Sequence, residues 1–207
     1  MKELLSQTRG AIVSTLVLTL VCCGLYPLVV FGVAQALFPD KANGSLIVDK
    51  DGSVRGSGLI GQNFAAANCF HPRPSAAGNG YDAASSGGSN LGPTSQKLND
   101  AIRDRIAAYR AENGLGDSEA VPADAVTASA SGLDPHISPK NAEIQAARVA
   151  KARGLSPAAV RALITRCTDG PDLGLLGEPG VNVLELNLAL DRESSSSPSK
   201  AGSTIVK

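Results

Sequence analysis

One uninterrupted apolar stretch constrains this chain more than any other feature of its sequence. The stretch runs from Ala11 to Phe38 and contains no charged residue. At about 1.5 Å of rise per residue, a helix of this length covers roughly 40 Å, and the hydrocarbon core of a bilayer is about 30 Å thick. A secretory signal has a shorter apolar core, of about 7 to 15 residues. The stretch therefore predicts a transmembrane helix over residues 11–38, with cleavage as a secretory signal kept as an alternative.

The charges beside this helix predict its orientation. The tail of residues 1–10 carries Lys2 and Arg9 against Glu3, and cationic flanks favour the cytoplasmic side of a membrane. The tail is therefore expected in the cytoplasm and the rest of the chain outside. Small and hydroxyl-bearing residues allow close helix packing within a membrane, and the candidates for such contacts are Ser14, Thr15, Thr19, Gly24 and Gly32.

The composition of the remaining chain suits one extracytoplasmic domain over residues 39–191. Lysine plus arginine equals aspartate plus glutamate at 19 each, so the chain has no net basic charge to attract nucleic acid. Cys69 and Cys167 lie outside the apolar stretch, where a disulfide is permitted. Residues 192–207 are rich in serine and poor in apolar side chains, a composition that predicts disorder.

Local patterns predict an α+β domain with short strands, about three helices and a C-terminal strand. A hairpin is expected around the Asp51-Gly52 step, and an irregular segment follows from residue 70 to residue 95. Helices are expected over about 95–113, from a Ser138-Pro139 start to Gly154, and after a Ser156-Pro157 start. Leucines that alternate with asparagine and glutamate between residues 181 and 190 predict a half-buried strand.

Two loops contain residues that could carry chemistry. Residues 87–94 have the glycine spacing of a phosphate-binding loop, but Pro93 occupies the position of the lysine such a loop needs. Asp134 and His136 lie close in sequence before the second helix, without a recognisable nucleophile motif. A metal site formed by Cys69, His71, His136 and Cys167 is conceivable from the ligand types, but the spacings match no compact zinc pattern. We therefore expect no catalytic residues and no metal site, and we keep a membrane-anchored periplasmic hydrolase or metal-binding protein as the alternative.

Six stretches in series resemble one protein family. After a single N-terminal membrane helix, the chain shows in order residues 56–62 (GSGLIGQ), 73–76 (RPSA), 87–95 (GGSNLGPTS), 131–139 (SGLDPHISP), 147–155 (ARVAKARGL) and 177–191 (GEPGVNVLELNLALD). Together they resemble the C subunit of the bacterial Kdp-type potassium-transporting ATPase. The resemblance covers about residues 11–191.

The resemblance implies a function that the residues alone do not. It implies an accessory subunit of a high-affinity, ATP-driven potassium uptake complex in the bacterial inner membrane. The expected partners are a potassium-channel-like subunit, a P-type ATPase subunit and a small membrane peptide. The family is also described as a catalytic chaperone that raises the ATP affinity of the ATPase subunit. ATP is then a ligand of the complex and potassium its transported ion, since this chain has no nucleotide motif.

The same resemblance suggests where the chain meets its partners. We expect the membrane helix to pack against the channel-like subunit and two outer loops to face the mouth of that subunit. Neutral polar groups suit an entrance that must not trap a cation. The candidate interface residues are Ser89, Asn90, Thr94, Asp134 and His136.

Overall fold

The N-terminal apolar stretch forms a continuous helical rod in the computed structural model, which describes residues 2–49 and 51–196. The rod consists of α1 (Lys2–Thr19), a π-helical segment (Leu20–Leu25) and α2 (Tyr26–Leu37). The π-helical segment immediately precedes the start of α2 at Tyr26-Pro27. Proline cannot donate a backbone hydrogen bond, and a local π turn accommodates the missing donor without ending the helix.

The rod is long and apolar enough to cross a membrane. The span from Gln7 to Leu37 passes the length and composition criteria, and none of its most apolar window is buried within the protein. Large side chains such as Leu20, Leu28 and Phe31 are exposed along it. A helix that is apolar all round and exposed all round needs an apolar medium around it. The prediction of one candidate membrane helix near the N-terminus is confirmed.

A short hairpin follows the helical rod. After α3 (Pro39–Ala42), strand β1 (Leu46–Val48) pairs antiparallel with β2 (Val54–Ser57), which confirms the predicted hairpin. The chain divides into two compact units, one ending at Ser57 and the other beginning at Gly58. The hairpin therefore belongs to the same compact unit as the helical rod.

The helices of the second unit begin and end where local signals predicted. They are α4 (Gln96–Asn113), a short α5 (Ala123–Val126), α6 (Pro139–Arg153) and α7 (Pro157–Arg166). The hydroxyls of Ser138 and Ser156 accept hydrogen bonds from the third residue after each, and Gly154 adopts a left-handed conformation just past α6. Serine, proline and glycine act here through their own backbone chemistry, so the helix boundaries could be predicted from the sequence.

A small sheet lies beside these helices. Strands β3 (His136–Ile137), β5 (Gly180–Asn182) and β4 (Thr168–Asp169) are arranged in the order β3-β5-β4, and both pairings are antiparallel. The sheet fixes the position of His136, because β3 ends the loop that precedes α6. It also makes β4 and β5 the two arms of a second hairpin.

The prediction of a C-terminal strand is correct for its first residues and wrong for the rest. Only β5 is extended, and α8 (Val183–Ser196) follows directly. Val183, Leu186 and Leu190 are fully buried against the core at helical spacing. Nearly every second residue here is leucine, so the apolar pattern satisfies both a period of two and a period of 3.6. The helix also includes residues 192–196 of the tail predicted to be disordered, and residues 197–207 lie outside the described part of the chain.

The core is formed by the faces of α6, α7 and α8 that meet β5. Its buried members include small alanines on α6 and branched side chains on the other elements, with one aromatic residue, Phe70, from the irregular segment. Phe70 is 0% exposed. The segment that carries it has no helix or strand between β2 and α4, so other groups must hold its backbone in place.

Two buried side-chain amides hold this irregular segment. The amide of Asn187 accepts from the Phe70 N–H at 2.8 Å and donates to the Phe70 carbonyl at 3.0 Å. Gln145 does the same for His71, at 2.7 and 3.1 Å. Each amide thus pairs with both backbone groups of one residue, as a neighbouring strand would. Buried backbone groups need such partners, so the amides replace a missing sheet.

Candidate functional site

One loop in the second unit gathers most of the glycine-rich stretches noted in the sequence. We call residues 129–135 the junction loop. Its Leu133 carbonyl accepts from the Gly61 N–H at 2.8 Å, and its Ser131 carbonyl accepts from the Gly87 N–H at 2.8 Å. The Ser75 hydroxyl donates to the Gly132 carbonyl at 2.6 Å. Residues 56–62, 73–76 and 87–95 are therefore tied to the same short loop.

Glycine is required where these backbones approach one another. A Cβ added to Gly61 would lie 2.6 Å from the Asp134 carbonyl oxygen, closer than real Cβ atoms come. Gly132 has φ of +68°, and a Cβ there would lie 2.6 Å from the Gly87 carbonyl oxygen. At Gly132 both the lack of space and the left-handed backbone exclude a side chain, and at Gly61 the lack of space alone does. These two glycines therefore permit a close backbone junction.

A chain of alternating charges runs across the end of the junction loop. Arg73 Nη1 contacts Asp134 Oδ2 at 2.8 Å, and Asp134 Oδ1 accepts from the His136 N–H at 2.9 Å. The His136 Nδ1 atom lies 3.8 Å from Asp134 Oδ1, and its Nε2 atom lies 3.0 Å from Asp169 Oδ2. Three separate parts of the sequence therefore meet at the predicted Asp134–His136 pair.

This arrangement favours the charged forms of both members of the pair. Partial burial alone would raise the pKa of Asp134, but hydrogen bonds from His136 and the Arg73 guanidinium lower it to about 2. Asp134 raises the pKa of His136, and Asp169 adds to this effect against the opposing effect of burial. Opposite charges at these distances favour the charged forms of both groups. The site therefore holds two carboxylates balanced by Arg73 and a readily protonated His136.

The glycine loop that contains the other predicted interface residues reaches the junction only through its first part. Ser86 and Gly87 both donate to the Ser131 carbonyl. Ser89, Asn90 and Thr94 lie beyond this contact and are exposed. Asn90 has φ of 51°, a conformation that asparagine tolerates better than most residues. The predicted interface residues thus form an exposed loop and a half-buried charged pair, and the two hydrogen bonds to the Ser131 carbonyl connect the loop to the junction.

Comparison with known proteins identifies the family. The family model described as "K+-transporting ATPase, c chain" matches residues 8–192, which is most of the chain. The chain belongs to the KdpC family. All six stretches that suggested the resemblance lie within the matched region.

Curated KdpC relatives match along almost their whole length. A potassium-transporting ATPase KdpC subunit from Nitratidesulfovibrio vulgaris is 58% identical over 189 residues, which cover 91% of this chain and 95% of the relative. The relative of the same description from Mycobacterium tuberculosis is 57% identical over 186 residues, covering 90% and 98%. The one from Caulobacter vibrioides is 56% identical over 188 residues, covering 91% and 94%.

The structure also shows how the residues behind the alternative of a membrane-anchored periplasmic hydrolase or metal-binding protein are arranged. Among residues 2–49 and 51–196, no group of three or more His, Cys, Asp or Glu side chains could hold a metal ion. Cys69 and Cys167 are free thiols that do not form the permitted disulfide. Both ring nitrogens of His136 face carboxylates, whereas a general base needs one nitrogen directed at a nucleophile.

The sequence missed several residues that build this site in the KdpC fold. Arg73 lies 61 residues from its partner Asp134, and Asp169 lies 33 residues from His136. Neither pairing has a local sequence signal, although Arg73 belongs to one of the quoted stretches. Gly61 and Gly132 also belong to quoted stretches, and their repeated glycines were the only available sign of a close backbone approach.

The predicted membrane-packing residues lie along the helical rod of this KdpC family member. Ser14, Thr15 and Thr19 are on α1, Gly24 is in the π-helical segment and Gly32 is on α2. A Cβ at Gly32 would meet no atom of the protein within 4 Å. The backbone is therefore accessible at this position, which is what close approach by another helix requires.

Proposed function

We propose that this chain is the accessory subunit that assembles and stabilises a high-affinity, ATP-driven potassium uptake complex. The observation that carries the proposal is the KdpC family match over residues 8–192, supported by identities of 56–58% to KdpC subunits from three bacterial genera. The partners are the potassium-channel-like subunit, the P-type ATPase subunit and the small membrane peptide. ATP and potassium are ligands of the complex.

The proposed topology is single-pass in the bacterial inner membrane. The exposed apolar rod from Gln7 to Leu37 supports a membrane-spanning role. Lys2 and Arg9 support a cytoplasmic N-terminus, and the domain beyond the rod then lies in the periplasm. Alkylation of a single cysteine placed at Ser85, which is exposed, tests this orientation. An impermeant maleimide is expected to label that cysteine in intact spheroplasts, and labelling only after lysis contradicts the topology.

The proposed partner surface is the exposed loop with Ser89, Asn90 and Thr94, together with the Asp134–His136 pair. The negative charge of Asp134 is compensated by Arg73 at 2.8 Å, so this carboxylate is a poor trap for a passing potassium ion. Hydroxyl and amide groups on the neighbouring loop add hydrogen-bonding capacity without charge. These properties suit a surface beside an ion entrance.

The effect on ATP affinity is proposed as a coupling between sites. ATP is used on the cytoplasmic side, whereas the proposed domain lies outside, so the effect must pass through the membrane helices. Such coupling means that this chain binds the ATP-bound and ATP-free complexes with different affinities. The small residues at positions 14, 15, 19, 24 and 32 are the proposed contacts, since they permit close helix packing.

Transport assays with and without this chain test the proposed function. Cells that lack it are expected to fail to grow at low potassium and to contain an incomplete complex. A Gly32→Leu variant should assemble less well or show a raised KM for ATP, while Val33→Leu, at the neighbouring apolar position, serves as its control. Normal uptake in the absence of the chain would contradict the proposal.

A further inference from the structure

The hairpin between β4 and β5 presents three leucines to solvent at its tip. Leu173 is 92% exposed, Leu175 is 88% exposed and Leu176 is 63% exposed. No other segment of the second unit, within the residues that the structure describes, exposes large apolar side chains to this degree. Clustered apolar side chains on an otherwise polar surface are typical of an interaction site. We call residues 172–176 the leucine tip.

The leucine tip is an ordered turn held by its own backbone. Asp172 and Leu176 exchange two backbone hydrogen bonds, at 2.8 and 2.9 Å, and the Leu175 N–H donates to the Asp172 carbonyl at 3.1 Å. The two central residues, Leu173 and Gly174, have φ of 55° and 75°. The fold therefore fixes the direction in which the leucines project.

Leu173 is an unfavourable choice for the position that it occupies. A positive φ strains a residue with a Cβ, and glycine or asparagine would relieve that strain. The exposed side chain of Leu173 gains little from the fold in return. Strain at a position without a structural benefit indicates that the side chain serves another purpose, and here that purpose is contact with something outside the chain.

The charges around the leucine tip indicate what it contacts. Between Cys167 and Asn182 the chain contains no lysine or arginine. Asp172 and Glu178 are exposed in this segment, whereas Asp169 is already paired with His136. Segments that insert into lipid surfaces combine apolar residues with cations, which the anionic headgroups attract. An acidic rim around leucines instead complements an apolar pocket bordered by basic groups or N–H donors.

We propose that the leucine tip docks into an apolar, basic-rimmed pocket on another subunit of the potassium-transporting ATPase. This inference rests on the proposed function, because family membership identifies the complex to which that subunit belongs. Leu173 and Leu175 act as the buried anchors, and Asp172 and Glu178 pair with groups at the rim. A few central residues commonly supply most of the affinity of an interface, and in this proposal the leucines of the tip do so for the second unit.

Photo-crosslinking in the assembled complex tests this contact directly. The full-length chain, with Leu173 replaced by p-benzoyl-L-phenylalanine, is co-expressed with the other subunits and irradiated in membranes. The expected product is a covalent adduct with one of those subunits. An adduct with lipid alone identifies a membrane contact and overturns the proposal, as does the absence of any adduct while the complex remains assembled.

Substitution of the tip gives a second measurement. The combined variant Leu173→Asn, Leu175→Ser and Leu176→Ser removes the apolar anchors, and asparagine suits the left-handed backbone. We expect on the order of a tenfold lower recovery of the other subunits per tagged chain, with an unchanged thermal midpoint of the tagged chain itself. Undiminished recovery overturns the proposal.

Parallel purification of the unchanged chain separates this inference from the proposed function. If the unchanged chain recovers the other subunits and the tip variant recovers them equally well, the docking proposal fails and the proposed function stands. If the unchanged chain recovers none of them, the proposed function fails as well. The substitution Asn99→Ser, at an exposed position on α4, is the matched control and is expected to leave recovery unchanged.

Discussion

At the scale of single residues, two groups from distant parts of the chain complete the Asp134–His136 pair: Arg73 contacts Asp134, and Asp169 contacts His136. No local pattern indicates these partners, since Arg73 lies 61 residues from Asp134 and Asp169 lies 33 residues from His136. Pairings of this kind depend on the folded topology, which local patterns do not encode.

The charged chain predicts a pH-dependent contribution to stability. The folded-state pKa of His136 is raised above its ordinary value of 6.5, so its contribution is complete below that value and is lost as pH rises through the folded-state pKa. The difference in unfolding free energy between the wild type and His136→Gln should therefore shrink from about pH 5 to about pH 9. Thermal or urea denaturation of the solubilised chain measures this difference.

The pH range distinguishes His136 from its carboxylate partner. The pKa of Asp134 is lowered to about 2 from 3.8, so its contribution is present above 3.8 and is lost only as pH falls toward 2. Asp134 therefore stays ionised throughout the range in which His136 titrates. A difference between the two proteins that stays constant with pH would contradict the proposed charged pair.

The glycine junction predicts a large effect of one methyl group. Gly61→Ala places a Cβ against the Asp134 carbonyl, and overpacking of this kind costs about 1–3 kcal/mol of unfolding free energy. Gly92→Ala is the control, because a Cβ there meets no atom within 4 Å. Chemical denaturation of both variants should show a loss for Gly61→Ala alone. Equal stability of the two would mean that the junction is not closely packed.

At the scale of elements, the accuracy of sequence-based prediction followed the locality of the signal. The starts of α6 and α7 depend on Ser-Pro pairs that act on the adjacent backbone, and these were predicted correctly. The segment that forms α8 was predicted as a strand, since its leucines fit either period. Packing of Val183, Leu186 and Leu190 on one core settled the conformation, and that information is nonlocal.

The two Ser-Pro caps predict a graded effect on stability. Ser138 caps α6 by accepting from the Asn141 N–H, and its hydroxyl also contacts Asp124 Oδ1 at 2.9 Å. Ser156 caps α7 by accepting a hydrogen bond from the Ala159 N–H at 3.1 Å. Loss of a serine cap costs about 0.5–2 kcal/mol, so Ser138→Ala should be at the upper end and Ser156→Ala lower. Denaturation curves that rank them in the opposite order would contradict this assignment.

The amide of Asn187 predicts how the irregular segment depends on α8. Asn187→Ala leaves the buried N–H and carbonyl of Phe70 without their partner, and each unsatisfied group costs about 1–3 kcal/mol. The variant should unfold at lower denaturant and expose the segment around Phe70 to hydrogen exchange. Asn99→Ala, at an exposed position on α4, should do neither. Unchanged exchange in Asn187→Ala would show that other contacts hold the segment.

At the scale of the whole molecule, the chain is one exposed apolar helix and a folded unit with its own core. The apolar helix could be predicted because it depends on composition, and the family because it depends on motifs in a fixed order. The approximate fold class could also be predicted. The boundary at Ser57 could not, since the hairpin before it carries the same signals whichever unit it packs with. An exposed apolar helix and a tip of exposed leucines both fit a subunit that assembles with others.

Purification of the tagged chain from gently solubilised membranes of potassium-starved cells tests the central claim most directly. The account predicts that a P-type ATPase subunit and a potassium-channel-like subunit are recovered with the chain in stable amounts. It also predicts that the recovered complex hydrolyses ATP in a potassium-dependent manner. Recovery of the intact chain alone, from membranes that contain those subunits, would contradict the assignment as an accessory subunit.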